Sequence, residues 1–264
     1  MLTRAGVLFS ILFLGTVKLH AQATETKVDF QKRQLAAAVI VVSCNMDVAE
    51  EGIKEFMAKK GFKGSSFKGL AVYRTVPLDS AGTLGNDLYF KLEKKSKDLT
   101  SITMIPTKKG EDFLTQAGAD QAMIDQSKAF LNQMGPFIES HNINVQASEQ
   151  QQVLNKANKK LAGLVDDSTD LAKKIRSLQS DIDQNKNDYD KQQKVVDGIS
   201  TADFDAHQKA LKKLNNLADD RGSLEKKLRK AQSDLDENKI EQHTQRQIIQ
   251  KEQDALGAIK SKQK

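Results

Sequence analysis

Mainly apolar residues in the second half of the chain recur at spacings of three and four, which alternate except for two successive steps of three around Leu214. This spacing places them on one face of a helix that packs against another helix. The first series is Leu154, Ala157, Leu161, Leu164, Ser168, Leu171, Ile175, Leu178, Ile182, Asn185, Tyr189, Gln192, Val196 and Ile199. The second is Phe204, His207, Leu211, Leu214, Leu217, Arg221, Leu224, Leu228, Ala231, Leu235, Asn238, Gln242, Gln245, Ile249, Glu252, Leu256 and Ile259. Both extend well beyond the three or four heptads that indicate a coiled coil.

A break between the two series indicates where the chain reverses. Gly198 is a typical helix terminator, and Ser200 or Thr201 would cap a following helix. We therefore expect a helix over residues 146–198, a turn over 198–201 and a second helix over 201–260. Each helix of ~55 residues would extend ~80 Å. We expect them to form an antiparallel coiled-coil hairpin within one chain, which favours a monomer over a homodimer whose helices pair between chains.

The pairing within this hairpin follows from the position of the turn. A reversal at 198–201 places Leu171 opposite Leu228, Ile175 opposite Leu224 and Ile182 opposite Leu217. We call the face along which the two helices pack the seam. Polar residues on the seam of a coiled coil lower its stability, but they determine the register of the helices and the number of helices that associate. Several of them follow Leu235, namely Asn238, Gln242, Gln245 and Glu252. We expect a looser pair there, against which another helix packs.

Residues 24–145 have a different pattern, which predicts a small α+β head domain. Residues 35–43 are rich in Val, Ile and Ala, as in a buried strand, and residues 67–78, 87–95 and 99–109 also have strand patterns. Between the first two strands, Asp47 and Glu50 form a capping-box pattern, and an apolar helical face ends at Gly61. A further helical region begins near Glu111. The order β-α-β-β-β-α predicts an antiparallel-rich sheet covered on one face by helices.

The first 23 residues have the pattern of a secretory signal peptide. Arg4 precedes an apolar run from Ala5 to Val17, and Ala21-Gln22-Ala23 is an A-x-A cleavage pattern. The apolar run is shorter than the ~20 residues that a membrane span needs. We expect export, with cleavage near Ala23, to the periplasm or the extracellular space. No later segment has the pattern of a transmembrane helix, so the mature chain is expected to have none.

Cys44 permits two further interpretations. It follows an apolar run in an order that resembles a bacterial lipobox, so lipidation there is an alternative to the signal peptide. With Met46 it could also form part of a soft-metal site. We favour a third interpretation, in which Cys44 is a structural thiol at the end of a buried strand. A single cysteine excludes an intramolecular disulfide.

The charge of the chain is modest and does not favour nucleic acid as a partner. The formal net charge is +6 over 264 residues, with both signs interspersed. A nucleic-acid-binding domain usually carries a much more one-sided basic patch. One local cluster is more basic than the rest, namely Lys91, Lys94, Lys95, Lys97, Lys108 and Lys109. Lys91, Lys94, Lys95, Lys108 and Lys109 are our candidate patch for an anionic ligand or envelope polymer.

Residues 181–192 have the alternating oxygen ligands of an EF-hand calcium loop. However, Lys186 occupies the position that requires glycine, and Gln192 occupies the position of the bidentate glutamate. Ile182, Asn185 and Tyr189 also belong to the predicted seam. We therefore interpret this stretch as coiled coil and predict no metal site.

Catalytic motifs are absent from the sequence. It contains no CxxC, HExxH, GxSxG or P-loop pattern. After removal of residues 1–23, three histidines remain, at positions 141, 207 and 243, too far apart along the predicted elements to form one site. We predict no enzymatic activity and no cofactor.

A compact head followed by a long coiled-coil hairpin resembles the parts of bacterial envelope adaptors, at the level of fold alone. We expect an exported structural spacer or protein–protein adaptor with a protein partner. The alternative is a ligand- or polymer-binding module that acts through the head. The residues expected to carry the interaction are Leu171, Ile175, Leu178, Leu224 and Leu228 along the hairpin, and Val196 and Phe204 at its closed end.

Overall fold

A computed structural model describes residues 22–30, 32–78, 85–110, 119–200 and 203–263. The elements in chain order are β1 (Thr24–Phe30), β2 (Arg33–Val42), α1 (Met46–Lys59), β3 (Gly64–Phe67), β4 (Leu70–Pro77), β5 (Gly85–Ser96), β6 (Leu99–Lys108), α2 (Gln121–Gly198) and α3 (Phe204–Ser261). The predicted α+β class is confirmed, with an antiparallel head followed by a long helical hairpin. The chain divides into two compact units, with the boundary between Gln146 and Ala147.

The head contains a six-stranded antiparallel sheet with the strand order β1-β2-β6-β5-β4-β3. The sequence patterns identified β2, β4, β5 and β6 but missed β1 and β3, which lie at the two edges. Edge strands have an exposed side and carry more polar residues, so their hydrophobic pattern is weak. β3 has no buried residue at all.

Alternate side chains on the central strands are buried on opposite faces of the sheet. On one face, Ile40, Phe90 and Met104 pack with α1 and with the part of α2 that belongs to the head. On the other face, Leu35, Tyr89 and Ile105 form a second apolar cluster. The predicted alternation of Leu88 and Phe90 with Tyr89 along β5 is therefore present, but the Tyr89 side is buried as well.

One predicted feature at the helices of the head, the capping box of α1, differs from the structure. The N-cap of α1 is Asn45, whose side chain accepts a hydrogen bond from the Val48 N–H at 2.9 Å. Asp47 lies instead within the first turn of the helix, so the predicted capping box is wrong. Pro136 lies inside α2 without ending it. The residues just after Glu111 lie outside the described part of the chain, and α2 begins at Gln121.

The closed end of the hairpin, where α2 ends and α3 begins, lies later in the chain than the sequence predicted. Asp203, and not Ser200 or Thr201, caps α3, because its carboxylate accepts a hydrogen bond from the Ala206 N–H. The helix α2 ends at Gly198, as predicted, whereas α3 begins at Phe204 and not at residue 201. Asn185, and not Ile182, therefore faces Leu217 across the hairpin.

Candidate functional site

Side-chain amides connect the two helices of the hairpin at five places. Each donates a hydrogen bond to a backbone carbonyl of the facing helix. The pairs are Gln150 with Glu252 (3.1 Å), Asn185 with Leu217 (3.1 Å), Gln192 with Ala210 (3.1 Å), Gln242 with Leu164 (3.2 Å) and Gln245 with Ala157 (3.0 Å). A helical carbonyl can accept such a bond because it has a second lone pair.

These contacts overturn the expectation of a loose hairpin beyond Leu235. Gln242 and Gln245 are buried there, and Ile249 and Leu256 pack with Leu154 in an apolar cluster. Long amide side chains can reach the opposite backbone, and the desolvation cost of burying them is then offset by a hydrogen bond. The two helices are therefore closely packed in this region, and the hydrogen bonds of the polar side chains join defined residues of one helix to defined residues of the other.

The closed end of the hairpin combines a buried cluster with exposed apolar side chains. Val196 packs with Ala210 and Leu214. By contrast, Val195 is 51% exposed and Phe204 is 67% exposed. Both exposed side chains lie within one or two turns of the reversal, so this end of the hairpin carries two large apolar side chains in contact with solvent.

The other predicted interaction residues lie along the middle of the hairpin. Leu178 is buried, while Leu171, Ile175, Leu224 and Leu228 are partly buried. Their apolar surface is largely used within the hairpin. Tyr189 lies closer to the closed end, where the Arg221 guanidinium lies 5.0 Å from the centre of its ring.

The five lysines proposed as an anionic-ligand patch are not brought together. Lys94 pairs with Thr100 near the β5–β6 turn, whereas Lys108 pairs with Asn86 at the other end of the same hairpin. Eight residues of strand between Asn86 and Lys94 correspond to ~27 Å at 3.4 Å per residue. Near the turn, Glu93 forms ion pairs with Lys91 (2.8 Å) and Lys95 (3.9 Å). Lys109 follows Lys108 and is exposed.

Cys44 lies in the main apolar cluster of the head and is 3% exposed. Burial, followed by the nearby Glu139 carboxylate, raises the pKa of its thiol from 9.0 to about 11. The neighbouring backbone is also engaged, because the Thr100 hydroxyl donates a hydrogen bond to the Cys44 carbonyl at 2.8 Å. Met46 is 40% exposed at the start of α1. These features are those of a packed structural thiol.

The stretch that resembles a calcium loop lies within α2. Asn185 is turned into the seam, and Gln192 bonds to the facing helix, so two of its polar side chains are already occupied. In the described residues, no three His, Cys, Asp or Glu side chains are arranged to hold a metal ion.

Two polar contacts in the head could not be found from the sequence. The His141 Nδ1 atom of α2 lies 2.7 Å from Glu55 Oε2 of α1. A hydrogen bond from Lys59, together with this contact, lowers the pKa of Glu55. Asp87 forms the second contact. Its carboxylate is 4% exposed, forms an ion pair with Arg74 at 2.7 Å and accepts the Thr75 N–H at 3.0 Å.

The fold defines a two-unit α+β protein in which an antiparallel sheet domain precedes a helical hairpin. No family model matches the chain, and no significant match was found among curated proteins or solved structures. Within the described part of the chain, no helix combines the length and apolar character needed to cross a membrane.

Proposed function

We propose that this protein is an exported, non-enzymatic adaptor of the bacterial envelope that binds a protein partner at the closed end of its hairpin. The exposure of Phe204 and Val195 at that end is the observation that carries the proposal. Large aromatic side chains supply much of the energy of protein interfaces when a partner covers them. Export rests on the signal-peptide pattern of residues 1–23.

The internal structure of the hairpin supports this assignment. Its seam is packed, and side-chain amides form hydrogen bonds between the two helices at five places. Among the described residues of the hairpin, only the Asn185 Oδ1 atom is buried without a hydrogen-bond partner, so few polar groups are left for a second copy to satisfy. A self-sufficient hairpin is a suitable spacer. The apolar side chains left exposed at its closed end are then available to another protein. We therefore expect the purified protein to have the mass of a monomer in solution.

The proposal is tested by placing a photo-crosslinking amino acid at position 204 and, as a control, at position 240. Ile240 is the matched control because it is 68% exposed but lies away from the closed end. Crosslinking in cells, followed by mass spectrometry, should repeatedly give one protein from position 204 and not from position 240. The purified partner should then bind the native chain, with at least tenfold weaker binding to Phe204→Ser.

Unchanged binding by Phe204→Ser, or equal loss in Ile240→Ser, would reject the closed end as the docking surface. Export has its own readout. Cell fractionation and intact-mass measurement should place a shortened chain outside the cytoplasm. A full-length chain found only in the cytoplasm would reject that part of the proposal.

A further inference from the structure

A cavity of about 530 Å³ opens in the head beside the C-terminal end of α1. Its walls come from three separate segments, namely the end of α1, the end of β4 and one face of α2. The lining residues are Lys60, Phe62, Val76, Pro77, Leu78, Ala129, Phe130 and Gln133. Its volume falls within the range of roughly 300–1,000 Å³ that is typical of small-molecule sites.

The walls of this cavity are mainly apolar. Phe130 and Val76 belong to the core of the head, and Phe62 and Leu78 pack against that core while remaining partly exposed. Phe130 is further fixed by an edge-to-face contact with Phe56, with the ring centres 5.6 Å apart. The interior surface therefore favours an aliphatic or aromatic body over a strongly hydrated one.

Lys60 is the one charged residue among the described residues that line the cavity. The Lys60 ammonium lies 5.0 Å from the ring centre of Phe56 and 5.8 Å from that of Phe130. Gln133 adds an amide, and none of the described lining residues is a carboxylate. An anionic group beside Lys60 would thus meet a positive charge with no competing acid among the described lining residues, and Gln133 could donate a hydrogen bond to it.

We propose that this cavity is a binding site for a small amphiphilic carboxylate, with its apolar chain among Phe62, Val76, Leu78 and Phe130 and its carboxylate beside Lys60 and Gln133. This assignment goes beyond the adaptor role, because it gives the head a ligand of its own. It also replaces the dispersed strand lysines as the cationic site of the head.

The binding test uses octanoate and its uncharged analogue octan-1-ol, titrated into the purified full chain by calorimetry below their aggregation limits. We expect saturable octanoate binding with a Kd on the order of 100 µM, given the small number of ligand atoms. Octan-1-ol should bind about tenfold more weakly, since it cannot pair with Lys60. No saturable octanoate binding, or equal affinity for the two compounds, would overturn the proposal.

Two substitutions test the location, each with a matched control. Lys60→Gln should weaken octanoate binding about tenfold, whereas Lys63→Gln, which makes the same charge change outside the cavity lining, should not. Ala129→Phe should fill the cavity and abolish binding. Ala122→Phe places the same side chain at another exposed position of α2 and should leave binding intact. Octanoate binding that survives both Lys60→Gln and Ala129→Phe would overturn the site.

Methyl NMR of the native chain gives a readout that does not depend on any variant. Octanoate should shift the methyl resonances of Val76 and Leu78 and leave that of Leu178 in the hairpin unchanged. Shifts confined to hairpin methyls would reject the cavity. Phe204→Ser should retain octanoate binding, so that failure of the adaptor role and failure of this site can be told apart.

Discussion

The side-chain amide of Gln192 donates a hydrogen bond to the backbone carbonyl of Ala210, 3.1 Å away on the facing helix of the hairpin. Gln192 is buried, and it lies two turns from the end of α2. This bond differs from a side chain–side chain contact because its acceptor is fixed by the helix itself. The position of the amide therefore determines which residues of α3 can lie opposite it.

Replacing Gln192 with alanine should loosen the closed end of the hairpin. The variant loses a buried hydrogen bond and the packing of the side chain, a cost of about 1–2 kcal/mol in local stability. Gln208→Ala is the control, because Gln208 is an exposed residue of α3 and undergoes the same change of side chain. Hydrogen exchange followed by mass spectrometry should show faster exchange in residues 185–215 for Gln192→Ala alone. Equal exchange in the two variants would contradict the role given to the cross-helix bond.

Asn185→Leu should have the opposite effect on stability. The Asn185 amide donates to the Leu217 carbonyl, but its buried Oδ1 atom has no hydrogen-bond partner among the described residues. An unsatisfied buried acceptor is costly, and an apolar side chain of similar size removes that cost. We expect the free energy of hairpin unfolding to rise by about 1 kcal/mol. The measurement is urea denaturation followed by circular dichroism at 222 nm. A lower denaturation midpoint would contradict this prediction. It would show that the hydrogen bond from Asn185 to Leu217 stabilises the hairpin by more than the burial of the unpaired Oδ1 atom costs.

Gly85→Ala should destabilise the head. A Cβ atom at position 85 would lie 2.6 Å from Thr75 Cγ2 and 2.9 Å from Thr75 Cα. Thr75 already has a positive φ of 56°, at an irregularity in the β4–β5 pairing, so its backbone has little freedom to move. We expect a loss of about 1–3 kcal/mol, measured by near-ultraviolet circular dichroism of the head tyrosines during urea denaturation.

Gly163→Ala is the matched control for this change. Gly163 lies inside α2, and a Cβ atom at this position would have no neighbour within 4 Å, so alanine there should stabilise the helix by about 0.5–1 kcal/mol. Opposite signs for the two glycine substitutions are therefore expected. If Gly85→Ala left the stability of the head unchanged, the backbone at the β4–β5 irregularity would be able to move enough to accommodate the added Cβ atom.

The buried thiol of Cys44 should make the stability of the head decline at alkaline pH. The folded-state pKa of about 11 lies above the ordinary value of 9.0, so the folded protein holds this proton more tightly than the unfolded chain does. The stabilising contribution is complete below pH 9 and is lost as the pH rises toward 11. The difference in unfolding free energy between the native protein and Cys44→Ala should therefore shrink over this interval. It should remain constant from pH 6 to pH 8.

The same burial predicts the reactivity of Cys44. A thiol-specific reagent at pH 8 should modify Cys44 only after denaturant unfolds the head, because both low exposure and the raised pKa disfavour the reactive thiolate. Rapid modification of the native protein would show that the strand end opens readily. Lipidation of Cys44 and a soft-metal site with Met46 would then again be possible interpretations of this residue.

The sequence determined the elements whose pattern is local. The spacing of Leu154, Leu164 and Leu178 predicts a helix that packs along one face, since every residue of a helix turns by the same angle. The alternation around Phe90 similarly predicts a strand. The polar positions of the seam could also be read from the sequence, but not their hydrogen-bond acceptors.

Only the tertiary structure decided the features that join distant segments. β1 is a strand because it pairs with β2, and its own sequence of mixed polar residues is too weak to predict it. The cavity beside Lys60 exists because α1, β4 and α2 leave a gap where they meet. A gap between elements depends on how closely their side chains approach one another, and spacing along a single segment contains no information about that distance. The periodic pattern therefore determined the helices and central strands, whereas non-local packing determined the register, the edges of the sheet and the proposed ligand site.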